Sequence, residues 1–474
     1  MGQPARPTAG GRLRAFLGAF SDLARLPRAF WLLNLANALD GFAYVGVLVL
    51  LPPFLTRGLG VSDALATNFT GAFAMLVTLF QFGFGSYSER FGVRRALLSA
   101  FVILALGRML LVGAGKAGPG PGLALLVAAL LVMAIGEGVV QTANYSGLKQ
   151  YTDARTSALG FGLNYAFFYA GIMTAGFLSS WIRVGVDDLL AGKPADAVLA
   201  PLGRAGSGIG AVFLVCALVT VLGAVLALAL FTRRAEANKL RPEDERRIAR
   251  SRDQARRLPL RERFRRSPFA DARFAFFVFA LFPARTLFAH QIHTLGLYIL
   301  RAYPKEVGDR MEWFGNVASP LVVFLSVPIM AAATRGMGMV RLMLLGTLVT
   351  ALPTFLLVLP ERWETLLLFV VVFSIGEAIW QPRFYQFAAD LAPEGMMGAY
   401  MAAANLPWLL AKWTTGWYAG AMLSVFCPET GVRRPGAMWA IYGAFALTTP
   451  LLLWLARRWL EAGMRARPSS SAMP

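Results

Sequence analysis

The sequence predicts an all-α membrane protein: twelve transmembrane helices in two pseudo-symmetric six-helix bundles. Three observations carry this. First, 57% of the 474 residues are hydrophobic and 15% are charged, against about 25% charged in an ordinary soluble domain. So apolar a surface would aggregate in water. Second, the apolar residues fall into twelve long runs, each able to cross a bilayer at about 1.5 Å of rise per residue. Third, the two halves echo one another at an offset of 240 positions.

The runs span 29–55, 64–88, 96–115, 122–146, 157–182, 208–232, 272–300, 313–334, 340–360, 365–390, 398–426 and 437–460. They divide the chain into an N-terminal tail (1–28), a first bundle (29–232), a basic linker (233–271), a second bundle (272–460) and a C-terminal tail (461–474). The first 28 residues are polar and basic, and the apolar stretch after them is too long for the core of a signal peptide. Residues 233–270 hold 14 basic and 6 acidic side chains. Pro242 followed by acids suits a helix start, so the linker reads as a short amphipathic helix, too small for a catalytic domain.

Net charge is +20, from 46 Lys and Arg against 26 Asp and Glu. In a soluble chain that excess would suggest nucleic acid. Here the basic residues lie between apolar runs, so anionic lipid headgroups and topology account for them, and no nucleic-acid partner is expected. With the N-terminus inside, 30 basic residues fall on the inner side and 11 on the outer. That asymmetry puts both termini in the cytoplasm of a plasma membrane, the expectation being a bacterial inner membrane. Two cysteines, Cys216 and Cys427, exclude a disulfide framework. There is no CxxC, no phosphate-binding loop ending in Lys-Ser/Thr and no Ser-His-Asp arrangement, so neither metal, cofactor nor enzymatic work is expected.

The repeat is the most informative feature. Ile135-Gly136-Glu137, Gln141 and Tyr145 recur as Ile375-Gly376-Glu377, Gln381 and Tyr385; Thr174 and Gly176 recur as Thr414 and Gly416. Span four thus matches span ten, and span five matches span eleven. Parallel repeats imply a pseudo-two-fold axis along the membrane normal, with a solute site between the halves. Chance recurrence of Gly-Glu pairs is the plain alternative. Two glutamates at equivalent depths argue against it, since each costs about 2.5–3.5 kcal/mol or more at a helix centre.

Six ionisable residues fall near the midplane: Asp40, Arg108, Glu137, Arg285, Glu377 and Lys412. Such groups should face a cavity and pair. Asp40 with Arg285, Glu377 with Lys412 and Glu137 with Arg108 are the open possibilities. Read functionally, they bind protons and gate, because making or breaking a pair shifts protonation. Read structurally, they are static pairs that set helix register. Tyr44, Tyr169, His290, His293, Trp380, Arg383 and Trp408 are the candidates to contact a solute, as stacking surfaces and polar handles. The plain readings are packing for the aromatics, satisfied histidines, and an Arg383 that snorkels to headgroups.

The loop after span two reads Gly85-Ser86-Tyr87-Ser88-Glu89-Arg90-Phe91-Gly92-Val93-Arg94-Arg95. It resembles the G-x-L-x-D-R-x-G-R-R loop of the major facilitator superfamily, with Tyr87 for Leu and Glu89 for Asp. The resemblance implies the major facilitator fold and a conformational latch formed by Gly85, Glu89, Arg90, Gly92, Arg94 and Arg95. Ordinary inner-side arginines account for Arg94 and Arg95 but not for the glycine spacing. Within that superfamily, several stretches are similar to the proton-coupled oligopeptide transporters. Asp40-Gly41-Phe42-Ala43-Tyr44-Val45-Gly46 is similar to the end of E-x-x-E-R-F-x-Y-Y-G, with Asn37 and Gly41 where that family has an acid and the arginine. Phe168-Tyr169 and Ile172-Met173 are similar to F-Y-x-x-I-N. Gly376-Glu377, Pro382 and Leu391-Ala392-Pro393-Glu394 are similar to that family's tenth span. The expected function is therefore secondary active transport of a small organic solute by alternating access, as proton-coupled symport of a peptide-like solute. A proton-driven drug or metabolite exporter and a non-transporting receptor of the same fold are the alternatives. A monomer is expected.

Overall fold

In the computed structural model the described residues are 26–84, 87, 91–152, 156–232, 268–334, 337–391 and 397–465. Among them every regular element is helical. A backbone in lipid has no water to bond, and a helix satisfies its own N–H and C=O groups. Spans one to six run Arg28–Pro53, Asp63–Gly83, Val93–Ala117, Pro119–Tyr151, Ser157–Leu190 and Gly208–Ala229. Span seven is three pieces, Ala272–Ala280, Phe282–His293 and Leu295–Ala302. Span eight opens with a π turn, Trp313–Ala318, and continues over Ser319–Ala333. Span nine is Met339–Ala351 prolonged by a 3₁₀ stretch, Leu352–Val358. Spans ten to twelve are Trp363–Leu391, Met397–Phe426 and Pro435–Arg465.

Among the described residues, ten of these helices are long and apolar enough to cross a membrane. Spans eight and eleven fall short of that measure. The regular part of span eight is short, and span eleven carries Asn405, Lys412 and three tryptophans along its length. Both meet the opposite bundle, and Lys412 and Trp408 of span eleven line a cavity rather than face lipid. The breaks in span seven have local causes. Pro283 has no N–H and its ring crowds the carbonyl four residues earlier, and the chain breaks at Leu281. Asp271 caps the first piece by accepting from the N–H of Arg273 at 3.0 Å.

Contacts repeat between the halves as the sequence echo requires. Span one packs on five and six, and span seven packs on eleven and twelve. Span three packs on four and six, and span nine packs on ten and twelve. The bundles touch through spans two and eleven and through spans five and eight. Glycine makes those crossings close. A Cβ at Gly71 would lie 2.9 Å from the Cα of Gly416, and a Cβ at Gly176 would lie 2.7 Å from Val317 Cγ2. Thus Gly176 and Gly416, matched at an offset of 240, each sit where one bundle meets the other.

Large apolar side chains such as Val102, Leu106 and Leu228 face outward, as lipid contact demands. Span one begins and span twelve ends on the same side, here the terminal face; the opposite side is the far face.

Candidate functional site

Two adjacent cavities lie between the bundles. One, of 340 Å³, sits near mid-depth and is lined by Tyr44, Gln141, Tyr169, Phe288, Glu377, Trp408 and Lys412 among others. The other, of 510 Å³, lies toward the terminal face and is lined by Asn37, Asn144, Tyr165, Val327, Glu377, Gln381 and Tyr385 among others. Gln141, Phe168 and Glu377 border both. Each volume is in the range of small-molecule sites.

The far face is closed above them by two bidentate ion pairs, each joining the halves. Arg183 of span five reaches Glu312 at the head of span eight, with Nε to Oε1 at 2.7 Å and Nη2 to Oε2 at 2.9 Å. Its Nη2 also donates to the carbonyls of Gly308 and Asp309. Arg301, at the end of span seven, holds Asp63 in the first turn of span two through two bonds of 2.6 Å. The Arg301 Nη1 also donates to the Cys427 carbonyl at 3.1 Å. Asp63 and Glu312 open matching spans, two and eight, while their arginines come from spans five and seven, which do not match. Fork-to-carboxylate geometry of this kind is both strong and directional. Sequence reasoning counted Arg183 and Arg301 only as outer-loop charges. Their partners were not visible because each lies more than a hundred residues away in the other half.

All six expected intramembrane ionisable residues are buried, and the structure gathers them into two separate groups. In the first bundle, Arg108 of span three donates to Glu137 of span four at 2.8 Å. The same Nη2 lies 3.7 Å from Asp40 of span one, and Nη1 donates to Thr220 of span six. All three charged residues are 2% exposed or less. The expected pairing of Asp40 with Arg285 does not occur. Asp40 turns into its own bundle, where Arg108 already stands between spans one and four.

In the second bundle, Arg285 lies against aromatic rings, with its Cζ 4.6 Å from the Trp380 ring centre and 5.8 Å from that of Trp408. Its Nη2 is 3.4 Å from the Tyr385 hydroxyl. The expected pairing of Glu377 with Lys412 is also absent. Glu377 accepts from Gln381 at 2.6 Å. Lys412 Nζ lies 4.8 Å from the centre of Trp408. The i,i+4 spacing of Glu377 and Gln381 on one helix face explains why the nearer amide takes the carboxylate.

The expected solute-contact residues divide. Tyr44, Tyr169 and Trp408 line the mid-depth cavity. Tyr169 shares a 2.8 Å hydroxyl contact with Tyr165. Trp380, His290 and His293 are instead packed inside the second bundle. Trp380 is fully buried, beneath Arg285, with Nε1 donating to Thr350 at 3.3 Å. His290 stacks on Tyr442 at 3.6 Å and meets Thr294 and Tyr418 through its two ring nitrogens, a satisfied structural histidine. His293 is fully buried beside it. Arg383 is half-buried on span ten and is not among the lining residues of either cavity.

Of the expected latch, Gly85, Glu89 and Arg90 lie outside the described residues. Gly92 has φ +83°, a conformation that favours glycine and lets span three start sharply. Arg94 donates to the Leu228 carbonyl at 3.2 Å, tying span three to span six. Arg95 is exposed. The linker from 233 to 267 also lies outside the described residues.

Sequence reasoning missed an amide network on the cavity side of the first bundle. Asn144 donates to Asn37 and to Asn164, each at 3.0 Å, and Asn164 donates to Asn34 at 3.1 Å. The signal was present as Asn34 and Asn37 at i,i+3 in an apolar helix. Asparagine there is costly unless bonded across helices.

Comparison with known proteins places this architecture. The family described as Major Facilitator Superfamily matches residues 33–411. No curated protein matches the sequence. Among solved structures, a peptide transporter of the POT family in complex with sulfate is 16% identical over 92% of this chain and 95% of its own, with a TM-score of 0.69. A POT family transporter in complex with a thioalcohol-conjugated peptide is 16% identical over 92% and 97%, with a TM-score of 0.67. One in complex with 5-aminolevulinic acid is 16% identical over 92% and 97%, with a TM-score of 0.66. At such identities the likeness is one of fold.

Proposed function

Because the chain belongs to the major facilitator superfamily, whose members are transporters and not enzymes, we propose that it moves a small organic solute by alternating access, coupled to protons in symport. The observation that carries this reading is the pair of adjacent cavities, walled by both bundles, with two arginine–carboxylate forks joining the bundles at the far face. The asymmetry of basic residues puts the terminal face in the cytoplasm. The conformation is then inward-facing, with Arg183–Glu312 and Asp63–Arg301 as the outer gate. In the outward-facing state those pairs part, and spans two, five, eight and eleven close together at the cytoplasmic ends.

Two features support proton coupling. The Asp40–Arg108–Glu137 group has two carboxylates for one guanidinium in a site closed to solvent. An uncompensated charge there is costly, and one bound proton removes it. Glu377 borders both cavities and has no ion-pair partner within 4.0 Å among the described residues, so its protonation responds to what enters. A proton that binds one access state more tightly shifts the balance between the two. The membrane is proposed to be a plasma membrane, the inner one of a bacterium.

The test is flux in reconstituted vesicles, with solutes chosen by their stabilisation of the purified protein. An inward proton gradient should drive accumulation. Glu377→Gln should abolish driven uptake and spare counterflow. Driven uptake at the wild-type rate would take Glu377 out of the proton path. Extrusion in place of accumulation would make the chain an exporter.

A further inference from the structure

Among the described residues that line the two cavities, Glu377 and Lys412 are the charged ones. They do not neutralise each other. Glu377 is engaged by Gln381. Lys412 is 8% exposed, borders the mid-depth cavity and, among the described residues, has no carboxylate within 4.0 Å. Its ammonium rests near the Trp408 indole at 4.8 Å from the ring centre, and Arg285 approaches the same ring at 5.8 Å. The second bundle therefore offers two cations for one carboxylate.

The first bundle cannot supply the missing negative charge to the cavity. Its wall there is uncharged and includes Tyr44, Gln141, Phe168, Tyr169 and the bonded asparagines. Its own acids, Asp40 and Glu137, are sealed behind that wall around Arg108. A nearly buried ammonium that borders an open cavity without a counter-charge is costly unless an anion arrives to meet it. The rest of the mid-depth lining is uncharged, with the aromatic side chains of Tyr44, Phe168, Tyr169, Phe288 and Trp408 set among aliphatic and neutral polar ones.

We propose that the solute is a monoanionic, amphipathic organic acid whose carboxylate docks on Lys412, with its apolar or aromatic body held among Tyr44, Phe168, Phe288 and Trp408. This deepens the transporter reading and rests on it only in calling the ligand a cargo. A zwitterionic peptide is the competing occupant. Its ammonium would need Glu377, which is already bonded to Gln381.

The test uses the purified full-length protein in detergent and a panel of matched probes: phenylacetate, indoleacetate and benzoate, each beside its primary amide, with the dipeptides Ala-Ala and Ala-Phe. At millimolar concentration the acids should raise the melting temperature and their amides should not. Lys412→Gln should weaken acid binding by about tenfold or more, the worth of a charge-assisted bond, and Lys412→Arg should restore much of it. Should Lys412→Gln fail to fold, the acid–amide comparison on the wild type still decides. Amides that bind as well as acids, dipeptides that bind where acids do not, a panel without a binding acid, or unchanged acid affinity in a folded Lys412→Gln would each overturn the proposal. Flux separates the two readings. Acids that bind but are not moved across vesicles would refute transport and leave the anion site standing.

Discussion

Arg108 serves two carboxylates at once. Its Nη2 is shared between Glu137 at 2.8 Å and Asp40 at 3.7 Å, and its Nη1 is bonded to Thr220. Removing the arginine leaves two acids facing each other in a dry site. Removing one acid leaves a simple pair. The variants should therefore be unequal. Arg108→Met should cost about 3–5 kcal/mol, the loss seen when a buried charge loses its partner, and Glu137→Gln should cost less than half of that. Unfolding midpoints in detergent measure the difference, and a Glu137→Gln protein as unstable as Arg108→Met would show that the triad is not held by its cation. The six buried charges were legible as depth along predicted helices, because apolar runs interrupted by single charges are unmistakable. Of the three pairings considered, Glu137 with Arg108 occurs, while Asp40 with Arg285 and Glu377 with Lys412 do not, because pairing depends on which way each helix is rotated about its own axis.

At the scale of the helix, the cross-bundle contacts rest on glycine. Gly71 and Gly416 bring spans two and eleven together, and Gly176 brings span five against Asn316 and Val317 of span eight. A branched side chain there separates the helices and weakens far-face closure. In a protein with Cys216 and Cys427 replaced by serine and one reporter cysteine at Met311, Gly176→Leu or Gly416→Leu should raise labelling by a membrane-impermeant maleimide from outside several-fold. Labelling at the parent rate would mean that these contacts do not govern closure. The helix breaks were only partly legible. The predicted span at 272–300 ran through Pro283, and the structure breaks there, as the missing N–H requires. It breaks again at Thr294, where no proline signals it.

For the molecule as a whole, closure is a matter of two forks, one on each side of the pseudo-two-fold axis. Arg183→Glu should part the far face, and adding Glu312→Arg should close it again, because the exchanged pair keeps its charges opposite. Spin labels at Ser62 and Val432 report the change: a longer distance in the single variant and a return toward the parent value in the double. A single variant with the parent distance would show that the Asp63–Arg301 fork suffices alone. Arg301→Ala should open the far face by the same measure.

Length, hydropathy and the 240-residue echo were enough to place this chain in a bilayer as two related bundles. Those signals are periodic and local, and the demand of lipid for self-bonded helices leaves few other folds. Gly176 and Gly416 were visible as an echo, yet their role as the crossing points emerged only when the bundles were brought together. The same holds for Lys412, whose lack of a counter-charge is invisible in a string that contains Glu377. Charge pairing depends on helix rotation and on contacts between residues more than a hundred positions apart, and a hydropathy pattern specifies neither.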